Sequence, residues 1–194
     1  MDFSRRSFSK YDAYVNDLYL SNNYRFNDKF NIGIRSFIGY SKNNAGFAYR
    51  KSFDSINFGL RNRSTMENIL SVKYNFNTKM GLSFRARHYW SKVKYTKFFH
   101  LQEDGYLKPI ALDAGRNPDN NANYFNIDMI YTWEFAQGSF INVAWKNAGY
   151  IFNQNSSEDY LYNFKETINS PHQNNLSIKV IYYLDYLDLK KKRK

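Results

Sequence analysis

Cysteine is absent from the chain, which excludes disulfides, thiolate metal ligands and thiol nucleophiles. Long apolar runs are absent too: nothing approaches the roughly 18 consecutive apolar residues of a membrane-crossing helix. Histidine occurs only as His88, His100 and His172, which leaves little material for a metal centre or a general base. A Gly-rich phosphate loop, GxSxG, HExxH and CxxC are all missing. Met1 to Lys10 is polar and basic with no apolar stretch after it, so it does not read as a signal peptide.

What is abundant is aromatic: 18 Tyr, 17 Phe and 3 Trp, 20% of the 194 residues. Tyr and Phe favour pleated, half-buried surfaces, and Tyr and Trp also settle at membrane–water interfaces. The net charge of +11 suits nucleic acid or anionic lipid as a partner. The segment 187–194 is a basic tail, whose simplest role is a solvated one.

Along the chain the dominant signal is period two. It predicts seven long strands: Ala13 to Phe26, Phe30 to Ser41, Thr65 to Phe76, Met80 to Phe99, Tyr124 to Phe135, Ser139 to Phe152 and Asn174 to Tyr186. In each, one phase is apolar, as in Phe30, Ile32, Ile34, Ile38 and Tyr40, or Phe125, Ile127, Met129, Tyr131, Trp133 and Phe135. The other phase carries the charges, among them Arg35, Glu67, Lys73, Arg85, Arg87, Asp128, Lys146 and Lys179. Short turns at Phe26–Phe30, Phe76–Met80 and Phe135–Ser139 pair apolar phase with apolar phase. They also set Asp128 opposite Lys146 as a lumen ion pair. The remaining connections, Lys42 to Ser64, His100 to Asn123 and Asn153 to Gln173, read as long loops, the last with a short helix near Glu158 to Ile168. Short turns alternating with long loops are the asymmetry of an outer-membrane barrel.

Alternation alone does not distinguish a lipid-facing ribbon from a soluble sandwich. Three features favour lipid. The strands run about 12–14 residues, against about 5–6 in soluble proteins, and at a tilt near 40° such a length crosses about 30 Å of hydrocarbon. The apolar phases end in aromatics at the turn side: Tyr24, Phe26, Phe30, Tyr74, Phe76, Trp133, Phe135, Tyr182 and Tyr186. The polar phase mixes both signs of charge, as a wet lumen does. The expected class is therefore all-β, part of an antiparallel transmembrane β-barrel. Seven strands do not make the even count of bacterial barrels, so residues 1–194 read as one domain, the C-terminal part of a larger barrel with further strands upstream.

Several stretches carry a family likeness: Arg87 to Ser91, Tyr124 to Trp133, Val143 to Asn147, Asn163 to Lys165 and Ser177 to Tyr186. Together they resemble the C-terminal barrel of a Bacteroidota family, domain of unknown function 5916. The resemblance implies a bacterial outer-membrane location and an upstream carbohydrate-binding-like module, through which carbohydrate becomes a partner. It implies no reaction.

Site candidates are few. Lys92, Lys94, Lys97, Arg61 and Arg63 gather toward the outer strand ends and are candidates for contact with lipopolysaccharide phosphates. His88 falls opposite Asn68 on the lipid-facing phase, which recapitulates part of the Ser, His and Asn set of outer-membrane phospholipases. Its same-face strand neighbours are Ala86 and Trp90, neither a nucleophile, and no catalytic residue is assigned. The loop with Glu103, Asp104, Asp113 and Asp119 offers oxygen ligands for Ca²⁺ but matches no EF-hand spacing, so no cofactor is expected. Nucleic-acid binding would need aromatics beside the basic residues; here they mostly occupy the charge-free phase. The expected function is a scaffold or pore wall with no catalysis of its own. The competing readings are a membrane-bound enzyme whose active site lies in other sequence, and a soluble basic all-β binding protein.

Overall fold

The computed structural model describes residues 1–53 and 55–184. It is an all-β, antiparallel structure with one short helix. Nine strands occur among the described residues: β1 (Asp2–Phe8), β2 (Ala13–Arg25), β3 (Phe30–Ser52), β4 (Ser55–Asn77), β5 (Met80–Leu101), β6 (Leu107–Ile110), β7 (Asn120–Ala136), β8 (Ser139–Asn153) and β9 (His172–Ile181). A 3₁₀ turn at Lys10–Asp12 joins β1 to β2, and helix α1 (Tyr160–Asn169) precedes β9. Their order is β1-β2-β3-β4-β5-β7-β8-β9, a sequential meander, with β6 beside the far end of β5. Among the described residues the sheet is open: β1 and β9 each pair on one edge only.

Three turns are built by the residues at their corners. Asn27 Oδ1 accepts from the backbone N–H of Lys29 and Phe30, and Asn77 Oδ1 accepts from Lys79 N–H. These are Asx turns, which let a short side chain replace a backbone partner. In the third turn Gly138 sits at φ 69°, a left-handed conformation natural to glycine, and its N–H is capped by Glu134 Oε1. These turns fix the register. Ile32 pairs with Val72 and Val72 with Phe84; Phe84 pairs with Met129, Met129 with Trp145 and Trp145 with Leu176. One apolar row thus crosses six strands on a single face.

The structure corrects the strand count and the loop pattern. The segment Lys42 to Ser64 does not read as a loop in the structure: β3 and β4 stay paired as far as Ser52↔Ser55, with register shifts at Ser41/Asn44, Phe47/Tyr49 and Arg50/Ser52. Short turns and long loops therefore do not alternate strictly. The polar start of the chain forms β1, paired to β2 from Asp2↔Tyr19 to Phe8↔Ala13. The ladder of β9 ends at Ile181; its expected end at Tyr186 and the basic tail 187–194 lie outside the described residues.

Of the buried apolar side chains, Tyr49, Leu60, Val93 and Phe99 sit in the half of β3, β4 and β5 remote from the three turns, and Trp90 sits at the middle of β5. Near the turns, no second layer covers the apolar face among the described residues.

Candidate functional site

The apolar face is the first feature to place. From Met80 to Trp90 on β5 is ten residue steps, which at about 3.3 Å each and a tilt near 40° spans about 25 Å, the height of an outer-membrane barrel's apolar band. Within it Ile34, Leu70, Tyr74, Phe76 and Trp133 are exposed, and on β9 Leu176 and Ile178 reach 67% and 65%. A contiguous apolar surface of this size marks a membrane or protein contact. Its turn-side rim is aromatic: Tyr24 meets Phe26 edge to face, Phe26 stacks on Phe30, Phe30 meets Tyr74 and Tyr74 meets Phe76, at centroid distances of 4.5 to 6.0 Å.

Away from the turns the same face becomes polar. Ser36, Asn68 and His88 form one cross-strand row, and Asn121, Asn123, Asn147 and Asn174 continue the change on β7, β8 and β9. Helix α1 seals it. Asp159 caps the helix by accepting from Tyr162 N–H at 2.9 Å. The Tyr160 hydroxyl accepts from Asn68 Nδ2 at 2.8 Å and lies 3.1 Å from His88 Nδ1, while Ser36 Oγ donates to Asn68 Oδ1 at 2.7 Å. Burial raises the Tyr160 phenol above its ordinary value, and the Asn68 hydrogen bond offsets part of that. The neutral phenol can donate to His88 Nδ1 or accept from it, according to the His88 tautomer; the other ring nitrogen is Nε2. That atom is buried without a polar partner, and the His88 ring stands at 83° to Phe164 with centroids 4.9 Å apart.

A second cluster adjoins the first. Asn163 Oδ1 accepts from Asn121 Nδ2 at 2.6 Å and from Asn123 Nδ2 at 3.1 Å. Trp90 Nε1 donates to Asn121 Oδ1 at 2.8 Å. At the helix end, His172 bridges Asn147 Oδ1 and the Thr167 carbonyl. Gly149 is required beneath it, since any Cβ there would collide with the His172 ring. Ser36 directs its proton to Asn68, and no hydrogen bond joins Ser36 to His88.

The five basic candidates divide between the faces. Lys92 pairs with Ser64 and Lys94 with Asn62, on the phase of the apolar band. Lys92 Nζ donates to the Glu158 carbonyl at 3.1 Å and lies over the Trp90 ring. Lys97 pairs with Leu60 beyond a bulge at Thr96. Arg63 and Arg61 belong to the opposite phase: Arg63 lines a recess with Asp17 and Tyr40, and Arg61 donates to Asn44 and to the Tyr95 hydroxyl. The lysines and arginines thus do not form one cluster.

The polar face holds the charges of the strand cores. Arg85, Asp128 and Lys146 share a cross-strand row, with Lys146 Nζ 4.0 Å from Asp128 Oδ1 and both side chains about half exposed or more. A pair so long and so solvated contributes little stability. Arg87 Nη1 approaches Glu67 Oε1 at 3.9 Å. In the loop that carries Glu103, Asp104, Asp113 and Asp119, the carboxylates are dispersed: Asp113 meets Lys51 and Arg116, and Asp119 accepts from Tyr95 N–H and Ser156 Oγ. Among the described residues no three His, Asp or Glu side chains gather to hold a metal.

Sequence reasoning placed the helix within two residues but missed its seat. The signal was present: Ser36, Asn68, His88, Asn121, Asn123, Asn147 and Asn174 interrupt the apolar phases at one end only. No curated protein and no solved structure matches the chain. It does match, over residues 1–193, the family described as Domain of unknown function (DUF5916), and it belongs to that family.

Proposed function

We propose that the chain forms part of the wall of an outer-membrane β-barrel in a bacterium of the Bacteroidota, with its apolar face on lipid and its charged face on the lumen. The observation that carries this reading is the uncovered apolar face: the apolar side chains that period two sets on one side are half-exposed or exposed along a band about 25 Å tall, while the buried apolar side chains lie at its loop-side limit, as Trp90 does, or beyond it. An open sheet edge is not tolerated in hydrocarbon, so the free edges of β1 and β9 call for further strands to close the barrel. The segment performs no bond-making chemistry of its own in this reading. It anchors the attached parts of the protein, a carbohydrate-binding module among them, and its outward lysines meet lipopolysaccharide phosphate.

Refolding beside vesicles tests this. Purified chain is expected to float with phosphatidylcholine–phosphatidylglycerol vesicles and to precipitate without lipid or detergent. A compact monomer in plain buffer would contradict the reading and favour the soluble basic all-β alternative. With lipopolysaccharide in the vesicles, replacing Lys92, Lys94 and Lys97 by Gln is expected to lower retention; unchanged retention would remove the phosphate contact and leave the barrel.

A further inference from the structure

The outward side of α1 poses a problem of polarity. A surface helix of a soluble protein points its apolar stripe inward. Here the two buried side chains are Asn163 and Thr167, both polar, whereas Leu161 is 72% and Ile168 42% exposed. Leu161 and Ile168 lie seven residues apart, on one edge of a helix with 3.6 residues per turn. Phe164 is three residues from one and four from the other, so the three form a continuous apolar ridge.

Contacts with the sheet show which way this ridge faces. Asn163 reaches Asn121 and Asn123, which occupy rows farther from the three turns than the His88 row. Phe164 packs on His88, which is one row nearer those turns than Trp90. The Phe164 side of the helix therefore faces the apolar band, and the Asn163 side faces away from it. Leu161 and Ile168 follow Phe164 around the helix and overhang the band. Glu166 follows Asn163 in the opposite sense and points to the loop side. Lys165 lies next to the ridge on the outward surface, and Lys92 stands beside the helix start.

We infer that α1 is an interfacial membrane helix: it lies in the headgroup layer at the loop side of the barrel, clamped to the wall by the asparagine cluster, with Leu161, Phe164 and Ile168 on acyl chains and Lys165 at the level of lipid phosphate. The ridge is continuous with the apolar band, and the two lysines match an anionic headgroup layer. In water such a helix is inside out, whereas at the top of an acyl layer every part of it is satisfied. The inference rests on the barrel reading and adds an occupant for a surface that reading leaves unassigned.

The absence of native cysteine permits a direct test. Leu161→Cys, Ile168→Cys, Glu166→Cys and Met129→Cys variants of the full chain are each labelled with a polarity-sensitive fluorophore in phosphatidylcholine–phosphatidylglycerol vesicles. Labels at 161 and 168 are expected to shift to the blue and to be quenched by lipids carrying a quencher near the headgroup; the label at 166 is expected to be quenched by aqueous iodide. The Met129 label reports the band. If it is quenched by lipid while labels at 161 and 168 respond only to iodide, the helix inference is overturned and the barrel stands. If the Met129 label also responds only to iodide, both fall.

Discussion

Replacing Met129 by Arg is expected to cost about 2–4 kcal/mol of folding stability in vesicles, the range for a cation near the middle of a barrel's lipid face. Met129 lies on β7 between Phe84 and Trp145, in the middle of the apolar band and far from the rims to which a long side chain could snorkel. Its neighbour Ile130 provides the control. Ile130 pairs with Ser83 and Ala144 on the charged face and is exposed there. Ile130→Arg enlarges the same strand by the same group and is expected to cost under about 1 kcal/mol, since a wet lumen solvates it. Urea titration of the vesicle-bound chain compares the two. Equal costs would mean that neither face sees hydrocarbon. A larger cost at Ile130 would mean that the charged face is the covered one.

The second large effect is expected at Asn163. Its carbonyl oxygen is shared by the amides of Asn121 and Asn123, and its own amide donates to the Asp159 carbonyl at 2.6 Å. Leu is close in volume and accepts nothing, so Asn163→Leu strands two buried donors. Each such loss costs about 1–3 kcal/mol. Weak alternatives at Asn153 and between Asn121 and Asn123, at 3.4 and 3.3 Å, recover part of it. The net expectation is about 2–3 kcal/mol, confined to α1 because the ladders of β7 and β8 do not depend on it. Amide hydrogen exchange should therefore accelerate about 30- to 150-fold in residues 160–169 and stay unchanged in Ile127 to Trp133. Unchanged exchange in α1 would show that the asparagine cluster does not hold the helix.

Much of the strand core was legible because turn chemistry and alternation constrain each other. Once Asn77 and Thr78 are taken as a turn, Asn68 must face His88; once Gln137 and Gly138 are, Asp128 must face Lys146. The structure has both pairings. The hairpin of β3 and β4 beyond Ser41 was not legible. Its residues, Asn43 to Ala48 and Asn57 to Arg63, mix Asn, Gly and Arg with Ala45, Phe47, Ala48, Phe58 and Leu60, and register shifts at Ser41/Asn44, Phe47/Tyr49 and Arg50/Ser52 break the period-two phase. Asn43, at φ 53°, marks one of them and is held by Asn62 Oδ1 and the Tyr11 carbonyl. The grouping of Arg61 and Arg63 with Lys92 and Lys94 failed for a simpler reason. Register alone sets Arg63 opposite Val93 and Ser64 opposite Lys92, so charges that are neighbours across the two strands point to different faces. The seat of α1 was missed because its signal is not local: Ser36, Asn68, His88, Asn121, Asn123, Asn147 and Asn174 lie on six strands and become one site only once the register is known.

The contact of the apolar face with acyl chains is tested most directly by the native tryptophans. With Trp90 and Trp133 replaced by Phe, Trp145 is the sole reporter, in the middle row of the band beside Met129 and Leu176. In vesicles its fluorescence is expected to be quenched most strongly by lipids brominated deep in the chain. A variant retaining only Trp133, at the turn-side rim, is expected to respond most to bromines near the headgroup. Quenching of both by aqueous acrylamide and by neither set of brominated lipids would contradict a lipid-facing wall.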